Sequence, residues 1–166
     1  MPILNENSFE FISRSPEQTR RIGARLGSLL TIGDVVCLFG DLGAGKTTFV
    51  QGIAQGWGST DMVTSPTFVL INQYRRADTA EMYHLDAYRL KDANEAEVLD
   101  LNDLMDRGIL LTEWPERIQG ALPDEHLWIE MHWIASEQRR MVFLPHGQHY
   151  KEITSSIRQE IYKDSI

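Results

Sequence analysis

The sequence contains a single cysteine and no segment typical of secretion or of a membrane anchor. Cys37 lies in an apolar stretch and has no partner for an internal disulfide, so we expect it to pack in the core of a cytoplasmic protein. No apolar run is long enough to span a bilayer, and residues 1–6 lack the basic-then-apolar order of a signal peptide. These absences argue against a membrane partner and against export.

Positive charge is also scarce, since 16 Lys and Arg residues face 24 Asp and Glu residues and give a formal net charge of -8. A domain that binds nucleic acid by itself normally carries a basic face. Here Arg75-Arg76 and Arg139-Arg140 are isolated pairs, and we interpret the second as charges at a strand edge. A partner protein could still bind nucleic acid. The histidines show no zinc-ligand spacing, and no NKxD-type element indicates guanine specificity.

One motif stands out among the remaining residues, because Gly40 to Thr47 matches the P-loop pattern G-x-x-x-x-G-K-[ST]. It follows the apolar segment Val35–Phe39 and opens a stretch with helical character, as a P-loop requires. Its glycines let backbone N–H groups surround a phosphate, Lys46 can reach the β- and γ-phosphates, and Thr47 can bind Mg²⁺. The motif predicts binding of a nucleoside triphosphate with Mg²⁺. The loop residues expected at the nucleotide are Asp41, Leu42, Gly43, Ala44, Gly45, Lys46 and Thr47.

The pattern of apolar residues predicts an α/β fold, a P-loop NTPase with a mixed central sheet flanked by helices, as a single domain over residues 1–166. A helix is expected to start at Ser15, and the isoleucines at 153, 157 and 161 predict a C-terminal amphipathic helix. Residues 91–106 are acidic and rich in helix formers. The expected strands are near 9–11, at 35–39, 68–71, 82–85, 109–112, 127–131 and 141–144. The strand order cannot be read from these patterns.

Two acidic residues follow apolar runs in the same way. Asp86 ends the run Met82–Leu85, and Glu113 ends the run Ile109–Thr112. Carboxylates at the carboxyl ends of strands in an α/β sheet emerge near the ligand crevice. Each one alone could be a surface cap, but their parallel placement favours a role in holding Mg²⁺ or the attacking water.

Several other residues keep two interpretations. Thr67 is a candidate sensor on a switch-like loop or part of a Ser/Thr turn. His84 orients a neighbour or packs in its strand, and Arg89 clamps phosphate or pairs with a carboxylate. Trp114 is a core aromatic or a residue that gates the site or contacts a partner. The acidic stretch Asp92–Asp106 is a solvated helical face or a docking surface for a basic partner.

Four segments in this order resemble one family. They read GDLGAGKTT at 40–48, SPTF at 65–68, HLDAYRL at 84–90 and EWPE at 113–116. The combination is similar to the TsaE family, also called YjeE, which are small bacterial P-loop ATPases needed to make threonylcarbamoyladenosine in tRNA. The resemblance spans about the length of a single domain. The part of the chain from Leu127 onward contains no motif that supports this resemblance.

The resemblance implies a Mg²⁺-dependent ATPase that acts through the TsaD and TsaB proteins and contacts tRNA only indirectly. It implies that ATP hydrolysis resets or activates the transferase that modifies the adenosine next to the anticodon. The residues implied at the site are Lys46, Thr47, Thr48, Thr67, Asp86, Glu113 and Trp114, with Lys46, Asp86 and Glu113 catalytic and with Thr47, Asp86 and Glu113 around Mg²⁺. A small-molecule kinase and a nucleotide-gated adaptor without significant hydrolysis remain alternative functions.

Overall fold

One seven-stranded mixed sheet organises the computed structural model, which describes residues 7–41, 43–63, 71–91, 93–97 and 99–164. The strands are β1 (Phe9–Ser13), β2 (Val35–Phe39), β3 (Ile71–Arg75), β4 (Glu81–Asp86), β5 (Gly108–Glu113), β6 (His126–Ala135) and β7 (Gln138–His146). Across the sheet they lie in the order β1-β7-β6-β2-β5-β4-β3. The ladders β6–β2, β2–β5 and β5–β4 are parallel, and the outer ladders are antiparallel. The prediction of a mixed sheet is confirmed.

Helices cover both faces of this sheet. They are α1 (Pro16–Leu29), α2 (Lys46–Trp57), α3 (Ala93–Glu97), α4 (Leu101–Arg107) and α5 (Gln148–Asp164). Alternate residues of β2 face opposite cores, because successive side chains of a strand point to opposite faces. Val36 and Leu38 belong to the core under α1, α2 and α5, whereas Val35 and Cys37 belong to the core under α3 and α4. The strand that leads into the P-loop is therefore buried on both faces.

The predicted start of α1 is confirmed. Ser15 is the N-cap, and its hydroxyl accepts a hydrogen bond from the backbone N–H of Gln18 at 3.2 Å. The Gln18 side chain reaches back and accepts from the N–H of Arg14, one residue before the N-cap, at 2.7 Å, so the two bonds are similar to a capping box with its second bond shifted by one residue. Pro16 occupies the first turn, where its missing N–H costs nothing.

Close packing of α1 against α2 depends on glycine. A Cβ added at Gly27 would lie 2.0 Å from the carbonyl oxygen of Ile53, and one at Gly56 would lie 1.9 Å from that of Ala24. Gly23 and Gly52 repeat the pattern one turn earlier. Neither helix can carry larger residues there without moving apart, so these glycines fix the position of the helix that follows the P-loop.

The structure corrects three boundaries. The acidic stretch forms two short helices, α3 and α4, because Asp100 adopts a left-handed conformation (φ 51°) and caps α4. Residues 68–70 of the strand predicted at 68–71 lie outside the described ranges, and β3 (Ile71–Arg75) extends beyond the predicted end of that strand. The last two strands are longer than predicted and form a hairpin that joins at residues 136–137.

Candidate functional site

The P-loop connects β2 to α2, as the sequence predicted. Gly43 and Gly45 have positive φ angles of 81° and 95°, a conformation that side chains with a Cβ rarely adopt. Gly45 is the N-cap of α2 and contributes no side-chain acceptor to the first turn, where backbone N–H groups favour an anion. At Gly40 a Cβ would lie 2.6 Å from the carbonyl oxygen of Met131, so a larger residue does not fit. At these three glycines the backbone has the conformation and the close packing that a phosphate loop requires.

Lys46, the first residue of α2, is buried at 5% exposure and points back toward the end of β2. Its Nζ donates to the carbonyl oxygen of Gly40 at 2.5 Å and lies 3.9 Å from Oε1 of Glu113. The ammonium also lies 4.3 Å from the centre of the Trp114 ring, within the range of a cation–π contact. Burial lowers the pKa of Lys46, and the neighbouring carboxylates, with Glu113 foremost, oppose that shift.

Asp86 and Glu113 lie side by side at the end of the parallel ladder formed by β4 and β5. Glu113 is also opposite Leu38 of β2, one residue before the end of the strand that leads into the P-loop. The N–H of Ala87 donates to the Glu113 carbonyl at 3.1 Å, and the N–H of Tyr88 donates to Oδ1 of Asp86 at 2.9 Å. The first contact ties the ends of the two strands together through the backbone, and the second holds the Asp86 carboxylate at the edge of the sheet that carries the phosphate loop.

A buried hydrogen-bond chain continues from Glu113 toward β3. Nε2 of His84 lies 2.6 Å from Oε2 of Glu113, and Nδ1 lies 2.9 Å from the Tyr74 hydroxyl. The sequence suggested that His84 orients a neighbour, and the structure identifies that neighbour as Glu113. Tyr74 was missed, because nothing in a β-strand pattern indicates a partner two strands away.

Trp114 follows Glu113 and adopts a left-handed backbone conformation (φ 56°, ψ 47°), which is costly for a bulky residue. Its ring packs against that of Tyr88 with 4.9 Å between centroids, and the Arg117 guanidinium lies 5.1 Å from the Tyr88 ring. Trp114 therefore contacts the site itself, through Lys46, and is also partly packed against the core under α3 and α4. The packing supports the interpretation as a core aromatic, and a role in gating the site or contacting a partner stays a prediction.

The remaining predicted residues divide by location. Thr47 and Thr48 lie in the first turn of α2 and are partly exposed, and Asp41 is exposed on the loop. Leu42 and Thr67 lie outside the described residues, as does the whole segment 64–70. The structure does not place Thr67 in or away from the site.

Arg139 is a second residue that sequence reasoning missed. The two arginines of the pair Arg139-Arg140 have different partners in the structure. Arg140 forms an ion pair with Glu10 of the neighbouring strand at 2.8 Å. Arg139 instead donates to the carbonyl of Ala135 at 2.9 Å, and its Nε would lie 3.5 Å from a Cβ placed on Gly45. The hairpin of β6 and β7 thereby brings a guanidinium beside the P-loop, which no local signal indicated.

Oxygen donors suited to Mg²⁺ are present at this edge. Thr47, Asp86 and Glu113 offer a hydroxyl and two carboxylates, and Mg²⁺ commonly takes one or two carboxylates and fills its other positions with water and phosphate oxygens. Within the ranges that the structure describes, no three acidic, histidine or cysteine side chains form a metal site from protein groups alone. The donor set fits a metal ion that is bound together with a nucleotide.

In the described part of the chain, no helix combines the length and the apolar character needed to cross a membrane.

Comparison with known proteins identifies relatives over most of the chain. Residues 13–141 match the family model of the threonylcarbamoyl adenosine biosynthesis protein TsaE. The chain is 38% identical over 144 residues to the tRNA threonylcarbamoyladenosine biosynthesis protein TsaE of Bacillus subtilis, covering 86% of this chain and 89% of the relative. It is 42% identical over 122 residues to the protein of the same name from Synechocystis, covering 69% and 75%.

A solved structure has the same fold over most of the chain. The crystal structure of YdiB from Bacillus subtilis matches with a TM-score of 0.78 and 31% identity, over 92% of this chain and 95% of that one. The family match covers the P-loop, both strand-end carboxylates and Trp114. We conclude that this chain belongs to the TsaE family of threonylcarbamoyl adenosine biosynthesis proteins.

Proposed function

We propose that this chain is a Mg²⁺-dependent ATP hydrolase that supports threonylcarbamoyl transfer to the tRNA adenosine next to the anticodon, acting in the cytoplasm through TsaD and TsaB. The observation that carries the hydrolase proposal is the convergence of Lys46 and Glu113 beside a phosphate loop, with Asp86 on the adjacent strand. The role in tRNA modification follows from the family, and the partners follow from the resemblance described above.

Each residue has a distinct part in this proposal. Lys46 leaves the Gly40 carbonyl to bind the phosphates and stabilises negative charge that develops on the transferred group. Glu113 orients the attacking water and accepts its proton, and Asp86 and Thr47 hold Mg²⁺. The metal, when bound, neutralises charge on the phosphate oxygens. Before the nucleotide binds, the ring of Trp114 contacts the Lys46 ammonium. This contact is lost when Lys46 moves to the phosphates.

We propose further that the chain reaches tRNA through its protein partners. A net charge of -8 opposes a phosphate backbone, whose neutralisation by Lys and Arg supplies most non-specific affinity. Binding of tRNA is measured at near-physiological salt with this chain alone, and binding of TsaD and TsaB is measured beside it. Submicromolar tRNA binding by the isolated chain, together with no partner binding in either nucleotide state, would contradict the indirect role.

One experiment separates the three candidate functions. Phosphate release from Mg²⁺-ATP is measured for the chain alone, with purified TsaD and TsaB, and with candidate metabolite acceptors. We expect slow release by the chain alone and faster release with the partners. Transfer to a metabolite would instead support a kinase. Tight binding without turnover, even with the partners, would support a nucleotide-gated adaptor.

A further inference from the structure

A line of buried polar side chains crosses three strands and ends at the candidate catalytic carboxylate. It consists of Tyr74 on β3, His84 on β4 and Glu113 on β5, and their exposed fractions are 2%, 0% and 7%. We propose that Tyr74 and His84 position the Glu113 carboxylate for the reaction with water. The inference rests on the proposed ATP hydrolysis and adds two positioning residues to it.

Strand register explains how the three side chains meet. His84 pairs with Leu111 of β5, so Glu113 lies two residues farther along the same face of that strand. On the other side His84 pairs with Asn72, and Tyr74 lies two residues farther along β3. Diagonal neighbours of this kind lie within reach of aromatic and other long side chains. The fold therefore forms a diagonal row that runs toward the edge of the sheet with the P-loop.

The hydrogen bonds of the row fit one tautomer of the imidazole. Nε2–H of His84 donates to Oε2 of Glu113, and Nδ1 accepts from the Tyr74 hydroxyl. The opposite tautomer would turn the Nε2 lone pair toward a carboxylate oxygen, which is repulsive. The Glu113 carboxylate, which only accepts, thus selects this tautomer, and the Tyr74 hydroxyl holds the ring from its other side, in the way that outer residues orient a histidine that serves a reactive group.

The two carboxylate oxygens of Glu113 have different neighbours in this arrangement. Oε2 is occupied by His84, whereas Oε1 faces the Lys46 ammonium at 3.9 Å. An unsupported glutamate has three rotatable bonds, and small displacements of a reacting group are costly for the rate. The imidazole restricts these rotations and leaves Oε1 directed toward the phosphate loop.

Three variants test the proposal. His84→Leu removes the donor, His84→Gln keeps an amide N–H near the position of Nε2, and Tyr74→Phe removes only the hydroxyl. Steady-state kcat and KM for ATP are measured with TsaD and TsaB present, after thermal unfolding has shown that each variant is folded. Loss of a hydrogen bond to a charged group predicts that kcat of His84→Leu falls about tenfold to a hundredfold. We expect KM to stay near the wild-type value and His84→Gln to recover most of the rate.

Tyr74→Phe should show a smaller loss, of about threefold to tenfold in kcat, because the donor to Glu113 remains and only the hydrogen bond that orients the imidazole ring from its other side is lost. This variant keeps the proposal testable if His84→Leu does not fold. A role in packing alone would lower stability and leave kcat unchanged.

A double-mutant cycle tests whether His84 acts through Glu113. In a Glu113→Gln background, His84→Leu should cause little further loss of rate. An equal loss in both backgrounds would contradict the positioning role.

The same assay separates failure of this inference from failure of the proposed function. If His84→Leu and Tyr74→Phe both retain the full turnover of the wild type, the positioning role alone is overturned. Absence of wild-type turnover under every condition, with TsaD and TsaB included, would overturn the proposed hydrolysis and this inference with it.

Discussion

The β4–β5 pair and the β1–β7 pair lie at opposite sides of the same sheet and bury different kinds of side chains. The β4–β5 pair buries His84, Thr112 and Glu113 among its apolar residues, and its end adjoins the phosphate loop. The β1–β7 pair buries mainly apolar groups, and the Phe9 ring packs against Phe143 with 5.8 Å between centroids. Changes in the first pair should therefore alter chemistry, and changes in the second should alter stability.

The largest effect is expected in the β1–β7 pair. Phe9→Ala removes a ring that is 4% exposed, and such truncations cost about 3–5 kcal/mol of unfolding free energy. Denaturant unfolding should show this loss, while turnover per folded molecule stays at the wild-type value. A specific loss of kcat in the folded fraction would mean that the two sides of the sheet are not independent.

For Lys46→Ala the expected loss is in turnover and not in stability. Loss of a charged hydrogen bond to the transferred phosphate is worth about 1.5–3 kcal/mol, which predicts a tenfold to hundredfold fall in turnover. Phosphate release measured with saturating Mg²⁺-ATP checks this. Hydrolysis close to the wild-type rate would show that the P-loop assignment is wrong.

The pattern of residues was sufficient to predict the P-loop, the mixed sheet and the placement of Asp86 and Glu113 at strand ends, whereas the structure shows that their two strands are neighbours. It could not give the strand order, because pairing between β2 and β5 or between β1 and β7 joins residues far apart in the chain. For the same reason Tyr74 and Arg139 were missed. Each comes close to predicted residues only through the pairing of strands, and neither lies within a local motif. The functional roles of the predicted site residues, and the single-domain boundary at 1–166, stay predictions.

Cys37 offers a test on β2, the strand between the two pairs. Burial raises the pKa of its thiol to about 12, so the folded protein retains a proton that the unfolded chain loses at lower pH. Stability is thus fully present below the ordinary thiol pKa and falls as the pH rises above it. Between pH 8 and pH 10 the free energy of unfolding should fall by about 1.4 kcal/mol because of this thiol. The variant Cys37→Ala should lose less over the same range, as measured by urea unfolding, and equal pH dependence would contradict full burial of the thiol.

The smallest expected signal comes from Trp114, whose ring contacts the Lys46 ammonium at 4.3 Å. Movement of Lys46 to a nucleotide should change the indole emission of Trp114. The sequence has three other tryptophans, so the titration with Mg²⁺-ATP is compared with Trp114→Phe. A full signal change in that variant would show that Trp114 does not report on the nucleotide.

The central claim is that the end of the β4–β5 pair acts on the reaction and not merely on binding. Single-turnover ATP hydrolysis by Glu113→Gln, measured beside its affinity for Mg²⁺-ATP, tests this most directly, with the exposed Glu152→Gln as the matched control. A group that acts mainly on the transition state affects the rate more than ground-state affinity. The account predicts a fall in rate of at least about tenfold with nearly unchanged affinity for Glu113→Gln, and wild-type behaviour for the control. An unchanged rate in a folded Glu113→Gln protein would contradict it.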